Sequence, residues 1–349
     1  MDAIREFKEA GGKVAAVFPI HYPRELLRAF NILPVEVWGP PGMKSNLGAT
    51  HLQPYVCSIV QNGLSFLLSG GLDVTDLLLV PHTCDSLQGL GSILIDFIKP
   101  SQPVLPLYLP RGKRTSDFDF LVDELRSIYA RLVEITRISP STTDLMECIL
   151  REEAADGLLR QLHHLRSLDS EFLYRLIRSR EYLPSEKFLE IAQQATILES
   201  AATQNGIPVL LSGIVPEPMT IFRAINEMGG SVAADDLACC GRRLYPPGES
   251  QEPYRRMAER ILGAAPDPMR GSSIQERLDY LLGLVKTSGA RGVIFYEVKF
   301  CEPELFDLPL LRQGLQDAGI PSLFIEMDLN DHLAHPLLNR IAAFLEMLR

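Results

Sequence analysis

The chain has 349 residues, of which 46% are hydrophobic and 22% charged, a composition typical of a globular protein with two or three domains. Its formal net charge of −10 argues against a nucleic-acid partner, because nucleic-acid-binding proteins usually carry a basic face. No apolar run reaches the length of a membrane span, and the N-terminal segment MDAIREFKEAGG lacks the apolar core of a signal peptide. We therefore expect a cytoplasmic protein.

The first 115 residues alternate between strand and helix patterns. Apolar runs predict strands over residues 13–18, 33–38, 77–80 and 104–109, and apolar spacing predicts helices over 24–30 and 55–68. This alternation is typical of βαβ units and a parallel sheet. Residues 1–115 are therefore predicted to form an N-terminal α/β domain.

The segment LLLVPHTCDS, residues 77–86, places Cys84 directly after a buried strand. Pro81 is expected to end that strand, and Asp85 or Ser86 is expected to cap the helix that follows. Cys84 would then lie at the carboxyl end of a strand, where open α/β sheets bind their ligands. The alternative role for this cysteine is burial as a small apolar residue.

Residues 116–205 are predicted to form a helical domain. From residue 117 to 204, Gly and Pro are scarce and apolar residues recur at spacings of three and four. Cys148 lies among apolar residues of this segment, so a packing role suffices for it. His163 and His164 would point about 100° apart on a helix and cannot both bind one metal, so a solvated helix surface is the favoured interpretation.

Strand and helix patterns return in residues 206–349, which predict a C-terminal α/β domain. The strands are expected over 208–212, 231–234, 292–300 and 321–327, and the helices over 218–228, 254–262, 273–287, 305–318 and 337–348. The predicted fold class is therefore α/β, with two Rossmann-like (flavodoxin-like) parallel-sheet domains and a helical domain between them.

Three cysteines could meet between the two α/β domains. Cys301 follows the strand at 292–300 as Cys84 follows its own strand, so their thiols could face each other across a cleft. Cys57 lies near the start of the helix at 55–68, where the helix dipole favours a thiolate, and could supply a third ligand. None of the six cysteines belongs to a Cys-x-x-Cys motif, and a long cytosolic chain does not use them as a disulfide framework. Local spacing leaves metal binding, catalysis and burial open.

Several segments carry a family resemblance that spans nearly the full chain. They are YPRELLRAFNILPVEVWG, LQPYVCSIVQNGLSFLLSGGLDVTDLLLVPHTCDS, DDLACCGRRLY, VIFYEVKFCEPELFDLPLLRQGLQDAGIPSLFIEMD and NRIAAFLEML. In this order the chain resembles the 2-hydroxyacyl-CoA dehydratase and benzoyl-CoA reductase family, which also includes the double-cubane cluster proteins. The VPHTCDS and KFC segments are the most specific of the motifs.

The resemblance implies one [4Fe–4S] cluster between the α/β domains, held by Cys57, Cys84 and Cys301, with a fourth iron that no cysteine occupies. It also implies a mechanism. One electron passes to the thioester carbonyl of an acyl-CoA, and the ketyl radical anion expels a 2-hydroxyl group, or an aromatic ring is reduced. An ATP-hydrolysing iron–sulfur activator supplies the electron, and the enzyme is a homodimer or a heterodimer with a paralogous subunit. No nucleic-acid or membrane partner is implied.

The sequence departs from the family pattern around Cys239 and Cys240. These cysteines are adjacent where relatives have a single Cys followed by Thr, Gly, Ser and Arg, and Arg242 occupies the Ser position. Either cysteine is a candidate fourth ligand. In the favoured alternative the loop only lines the pocket, and Arg243 is free to bind a CoA phosphate or a carboxylate.

Three further residues, Tyr22, His82 and Ser86, are candidates for the substrate pocket, and no catalytic residue is assigned. The departures leave room for a double-cubane protein, in which an [8Fe–9S] cluster is shared across a dimer and small molecules are reduced. A cluster-free α/β binding protein is the remaining alternative.

Overall fold

Two parallel sheets organise the chain, which the computed structural model describes over residues 2–40, 42–43, 45–165, 169–197 and 206–349. The N-terminal sheet has the order β2-β1-β3-β4 and consists of β1 (Lys13–Val17), β2 (Ile32–Glu36), β3 (Leu77–His82) and β4 (Val104–Tyr108). The C-terminal sheet has the order β6-β5-β7-β8 and consists of β5 (Ile207–Gly213), β6 (Gly230–Leu237), β7 (Gly292–Val298) and β8 (Ser322–Met327).

The two sheets share one topology, because in each the first strand lies between the second and the third. All neighbouring strands run parallel. This arrangement begins the strand order of flavodoxin-like doubly wound sheets, which bind ligands at the carboxyl ends of their strands. The α/β fold class with two parallel sheets is therefore confirmed.

The helices cover both faces of these sheets. In chain order they are α1 (Asp2–Glu9), α2 (Arg24–Ala29), α3 (Asn46–Ala49), α4 (Ser58–Leu68), α5 (Asp85–Ile93), α6 (Thr115–Thr136), α7 (Thr142–Leu162), α8 (Ser170–Ser179), α9 (Ser185–Ile197), α10 (Ile221–Glu227), α11 (Pro253–Gly263), α12 (Ile274–Ser288), α13 (Glu302–Asp317) and α14 (His335–Met347). Helix α5 continues into a π-helical turn, Leu94–Ile98. None of the helices described is both long enough and apolar enough to cross a bilayer.

Strand β3 is apolar at successive positions because both of its faces are covered. Leu77 and Leu79 pack in one hydrophobic core, whereas Leu78 and Val80 pack in another, and all four side chains are fully buried. Alternate residues of a strand point to opposite faces, so a strand between two helical layers needs apolar residues at every position.

Strand β3 continues past Pro81, contrary to the expectation that this proline would end it. Pro81 pairs with Leu107 of β4 and His82 pairs with Tyr108. On the other side of β3, the pairing with β1 ends at Leu79. A proline that lacks an N–H is tolerated there because the ladder on that side has already ended.

Residues 115–197 contain helices α6 to α9 and no strand where the structure describes them, as predicted, but a separate helical domain is not confirmed. Leu121 and Leu125 of α6 share a hydrophobic core with the N-terminal sheet. Leu159 of α7 and Phe188 of α9 share a core with residues of both sheets. The helices therefore complete the cores of the α/β units, and residues 198–205 of the predicted domain lie outside the described residues.

His163 is not on a solvated helix surface, so that interpretation was wrong. Its side chain is 9% exposed, and its Nδ1 lies 3.1 Å from Oδ2 of Asp235 on β6. The C-terminal end of α7 packs against this strand, a tertiary contact that helical spacing does not reveal. His164 is exposed, as expected.

Candidate functional site

Three cysteines occupy equivalent positions at the starts of three helices. Cys57 is the N-cap of α4, Cys84 is the N-cap of α5, and Cys301 is the N-cap of α13. The capping residue of α5 is thus Cys84 itself and not Asp85 or Ser86, which lie in the first turn. A helix N-terminus presents unpaired N–H groups and the positive end of the dipole, and both stabilise a negatively charged sulfur.

The three thiols lie close enough to affect one another electrostatically. Burial raises the pKa of Cys84 to about 12, and the charge of Cys57 adds to the effect. Burial also raises the pKa of Cys301, to which the charges of Cys57 and Cys84 contribute. Burial likewise raises the pKa of Cys57, although backbone N–H groups of Val60 and Ile59 partly offset it. Three thiolates in this buried region would need a compensating positive charge.

The three thiols are not grouped as the ligands of a single metal ion are. Within the described ranges, no three His, Cys, Asp or Glu side chains are grouped closely enough to hold one metal ion. Ligands of a single ion must lie within about 4 Å of one another, because each sulfur is about 2.3 Å from the metal. Thiolates of an iron–sulfur cluster bind different irons and need not crowd in this way.

A left-handed residue directs the chain into Cys301. Phe300, immediately before it, has a φ of 62°, which costs a non-glycine residue about 1–2 kcal/mol. This residue connects the end of β7 to the start of α13 and sets the position of the thiol. Strained residues persist where the surrounding structure demands them, often at functional sites. No pattern in the sequence signals this conformation.

Some buried polar atoms on the segments that carry Cys84 and Cys301 have no partner in the part of the chain that the structure describes. Thr83 Oγ1, both ring nitrogens of His82 and Oε2 of Glu297 have no hydrogen-bond partner among the described residues. Thr83 precedes Cys84, and the charge of Glu297 contributes to the raised pKa of Cys301. Each unpartnered buried group costs free energy unless a water or a ligand completes its hydrogen bonds.

A cleft of about 350 Å³ opens beside Cys84. Ser86 lies in its wall, with Arg111 from the loop after β4 and the apolar side chains of Met269 and Phe306 opposite. Phe306 is 75% exposed, which is unusual for so large an apolar side chain. A second cleft of about 550 Å³ lies on the other side of Ser86. Ser86 is therefore placed where a substrate could reach it.

Tyr22 and Arg243 lie away from this cleft, in a buried network around Glu36. The Tyr22 hydroxyl donates to Oε1 of Glu36 at 2.9 Å, and Arg243 Nη1 donates to Oε2 at 3.0 Å. Arg243 is therefore not free to bind a phosphate or a carboxylate. His82 lies at the end of β3 and packs edge-on against Tyr108, with ring centroids 4.5 Å apart.

Cys239 and Cys240 follow β6, and both are completely buried. Their sulfurs are 3.4 Å apart. Burial raises the pKa of Cys240, with further contributions from Cys239 and Asp235. Neither cysteine lines either of the two clefts at Ser86. A fourth-ligand role for either of them stays a prediction.

Sequence reasoning missed a buried charge cluster next to Cys301. Arg242 donates from Nε to Oδ1 of Asp236 at 2.8 Å and also bonds to Glu304, in the first turn of α13. Arg277 donates to Glu304 at 2.8 Å. Arg242 is thus paired with two carboxylates. In the sequence, the cluster is visible only as two acidic residues at 235–236 and two arginines at 242–243. Their pairing cannot be predicted until the end of β6 is folded.

Comparison with known proteins supplies the family. The model of the 2-hydroxyglutaryl-CoA dehydratase D-component family matches residues 19–348. The chain belongs to this family. It is 26% identical to the lactoyl-CoA dehydratase β-subunit of Anaerotignum propionicum, over 99% of this chain and 95% of the relative.

Other relatives are similarly complete. The (R)-2-hydroxyglutaryl-CoA dehydratase β-subunit of Acidaminococcus fermentans is 24% identical, over 93% of this chain and 89% of its own. One of the subunits of benzoyl-CoA reductase from Thauera aromatica is 23% identical, over 99% of this chain and 94% of its own. Among solved structures, a laminin-binding adhesin of Streptococcus agalactiae aligns over 97% of this chain and 100% of its own at 11% identity. Its TM-score is 0.24.

Proposed function

We propose that this protein is the iron–sulfur subunit of an enzyme of the 2-hydroxyacyl-CoA dehydratase or benzoyl-CoA reductase type. The observation that supports this most is the convergence of Cys57, Cys84 and Cys301 at three helix N-termini. Their thiols come from both α/β units. The charge of Cys57 affects Cys84, and the charges of Cys57 and Cys84 affect Cys301. Relatives that are named as subunits of dehydratases and of a reductase match nearly the whole chain.

Cys57, Cys84 and Cys301 would hold a [4Fe–4S] cluster, which would supply a single low-potential electron for the thioester carbonyl of an acyl-CoA. The chain's own contribution is electrostatic and steric. The N-termini of α4, α5 and α13 direct N–H groups toward the sulfurs and offset their negative charge. Burial of Cys57 and Cys301, which are 6% and 8% exposed, keeps water from the reduced site.

The cleft beside Cys84 would receive the acyl group. Ser86 places a hydroxyl there, and Met269 and Phe306 supply apolar surface for the acyl chain. In the dehydratase branch the resulting ketyl radical anion expels the 2-hydroxyl group, and in the reductase branch an aromatic ring is reduced. We propose that Ser86 forms a hydrogen bond with the substrate. Tyr22 and Arg243 do not contact it in this proposal, because both are bonded to Glu36 in the buried network.

The names of the relatives support a partner subunit, which would be a second copy or a paralogous chain. We further propose that an ATP-hydrolysing iron–sulfur activator delivers the electron. We propose domain boundaries at 1–115, 116–205 and 206–349, with the helices of the middle segment packed on the cores of both sheets.

The test is turnover by protein that has been reconstituted anaerobically with iron and sulfide and combined with its partner subunit and activator. Lactoyl-CoA, phenyllactyl-CoA, 2-hydroxyglutaryl-CoA and benzoyl-CoA are assayed with and without ATP. We expect turnover of at least one of them only with ATP. Air-stable turnover by the metal-free chain would contradict the proposal. ATP-dependent reduction of eight irons per dimer without acyl-CoA turnover would favour the double-cubane alternative.

A further inference from the structure

The loop between β4 and α6 forms one rim of the cleft beside Cys84. Its sequence from 110 to 114, PRGKR, contains three cations and no carboxylate. Arg111 lines the cleft, and its side chain is 67% exposed. Its guanidinium Nη2 is 3.7 Å from Oδ1 of Asp85, across the cleft, in an exposed pair of the kind that contributes little to stability. Arg111 is therefore available to another anion.

Lys113 lacks a counter-ion. It forms no ion pair within 4 Å with any residue that the structure describes. Burial lowers the pKa of its ammonium group, and the charge of Arg270 lowers it further. The charge of Glu276 raises this pKa, but by less than Arg270 lowers it. A lysine held beside another cation is relieved by a bound anion. Arg114, by contrast, is already paired, because Asp117 accepts from its Nε at 3.0 Å and from its Nη2 at 2.9 Å.

A buried arginine fixes positive charge behind this loop. Arg270 is 3% exposed, and its guanidinium donates to the backbone carbonyls of Leu262 and Ala264. Its Nε has no hydrogen-bond partner among the described residues. Gly271, the next residue, packs under Arg111, and a Cβ at this glycine would lie 2.9 Å from that of Arg111. The close approach holds the exposed arginine at the rim of the cleft.

We propose that Arg111 and Lys113 bind the phosphate groups of coenzyme A while the acyl end enters the cleft toward Cys84. This site rests on the proposed acyl-CoA function. Arg243 cannot bind the phosphates, because it is buried in an ion pair with Glu36. Charge-assisted hydrogen bonds from Arg and Lys are the usual means of holding phosphate. The exposed position of Arg111 leaves a phosphate bound to it in water while the thioester is enclosed.

The test is a calorimetric titration of the full-length chain, purified anaerobically, with CoA, dephospho-CoA and pantetheine. We expect CoA to bind and pantetheine, which has no phosphate, to bind at least a hundredfold more weakly. Arg111→Gln and Lys113→Gln should each weaken CoA binding roughly tenfold, the effect of losing one charge-assisted hydrogen bond. If dephospho-CoA loses affinity in the same variants, the two cations hold the pyrophosphate, and if it does not, they hold the 3′-phosphate. Both results support the site.

Arg131→Gln is the matched control, because it removes the same charge from an arginine that is 56% exposed and lies along α6, outside the cleft. It should change CoA affinity less than twofold. Equal CoA affinity in the Arg111→Gln/Lys113→Gln double variant and the wild type would overturn the proposal, as would absence of CoA binding to the wild type. Iron content of the same samples separates the two claims. If the chain holds no iron but its CoA binding depends on both cations, the phosphate subsite is supported and the cluster is rejected. If the chain holds iron but its CoA binding does not depend on the two cations, only the subsite is rejected.

Discussion

At the residue scale, the charges near Cys301 leave one carboxyl group without a partner. Glu297 on β7 is 1% exposed, and its Oε2 has no hydrogen bond among the residues described. It faces Glu304, Asp236, Arg242 and Arg277, and both arginines already donate to carboxylates. Burial raises the pKa of Glu297 well above its ordinary value of 4.5, and the charge of Glu304 raises it further. Burial therefore favours the protonated form of Glu297 in the folded chain.

Glu297→Gln should stabilise the protein increasingly as the pH rises above 4.5, the ordinary pKa of a glutamate. Below pH 4.5 the carboxyl is protonated in both the folded and the unfolded chain and costs nothing. Above it, the unfolded chain loses the proton while the folded chain keeps it, so stability falls until the folded pKa is reached. The variant escapes this loss of up to about 1.4 kcal/mol per pH unit. Urea unfolding of the wild type and the variant at several pH values measures the difference in their free energies of unfolding. A difference that does not change with pH would contradict a raised pKa for Glu297.

Replacing Cys57, Cys84 or Cys301 singly by Ser should remove most of the bound iron, because a cluster loses one of three protein ligands. Cys148→Ser is the matched control, since Cys148 is buried in α7 and can be replaced without touching the site. The measurement is iron per chain after anaerobic reconstitution. Iron loss from the Cys148 variant combined with iron retention by the Cys301 variant would refute the assignment.

Single residues were predictable from sequence where local context decides their place. Cys84 and Cys301 could be placed at strand ends because an apolar run precedes each of them. Arg243 could not be placed, since its partner Glu36 lies 207 positions away and the pair forms only when the two sheets assemble. The expectation that Arg243 is free to bind a phosphate or a carboxylate was therefore wrong. Arg111, at the rim of the cleft, was not among the predicted site residues.

At the element scale, the end of β5 depends on a glycine. Gly213 has a φ of 146°, and a Cβ there would lie 2.1 Å from the carbonyl oxygen of Tyr296 on β7. Gly213 pairs directly with Tyr296 in the parallel ladder. Only a residue without a side chain allows the two strands to approach so closely at the carboxyl edge of the sheet.

Gly213→Ala should destabilise the protein by about 2–3 kcal/mol through strain and displacement of β7. Gly283→Ala on α12 serves as the control, because nothing lies within 4 Å of its added Cβ. That substitution should instead stabilise by about 0.5–1 kcal/mol, since alanine favours a helix interior. Thermal unfolding of both variants makes the comparison. Equal melting temperatures for the two would show that the close approach is unimportant.

The helices and strands could be predicted from the periodicity of apolar residues, but the positions of their ends could not. Every strand expected from an apolar run is present, because the strands of a doubly covered parallel sheet are continuously apolar. The extension of β3 through Pro81 depends on where β1 stops, which is a property of the sheet. Similarly, helical spacing identified α7 but did not show that its end meets Asp235 through His163.

At the scale of the whole molecule, buried ion pairs join segments that are distant in sequence. Arg243 and Glu36 connect the turn after β6 to the end of β2, and Glu36 also accepts from Trp38 Nε1 at 2.9 Å. Arg260 of α11 donates to Glu25 of α2 at 2.8 Å. Of these pairs, Arg243–Glu36 joins the C-terminal sheet to the N-terminal sheet, and the meeting of cysteines 57, 84 and 301 depends on how the two sheets are arranged.

Arg243→Met should destabilise the protein by about 3 kcal/mol, because it leaves the Glu36 carboxylate buried with fewer partners. The double variant Arg243→Met/Glu36→Leu should recover part of the loss. Arg223→Met is the control, since Arg223 pairs with Glu171 at a 60% exposed position and should contribute less than about 1 kcal/mol. Chemical unfolding provides the values. A single variant no less stable than this control would mean that the pair does not join the two halves.

The most direct test of the central claim is the iron and acid-labile sulfide content of the wild-type chain after anaerobic purification and reconstitution. Cys57, Cys84 and Cys301 at three converging helix starts predict about four irons and four sulfides per chain. Less than about half an iron per chain, in protein that is folded by circular dichroism, would contradict the assignment of a cluster to these cysteines.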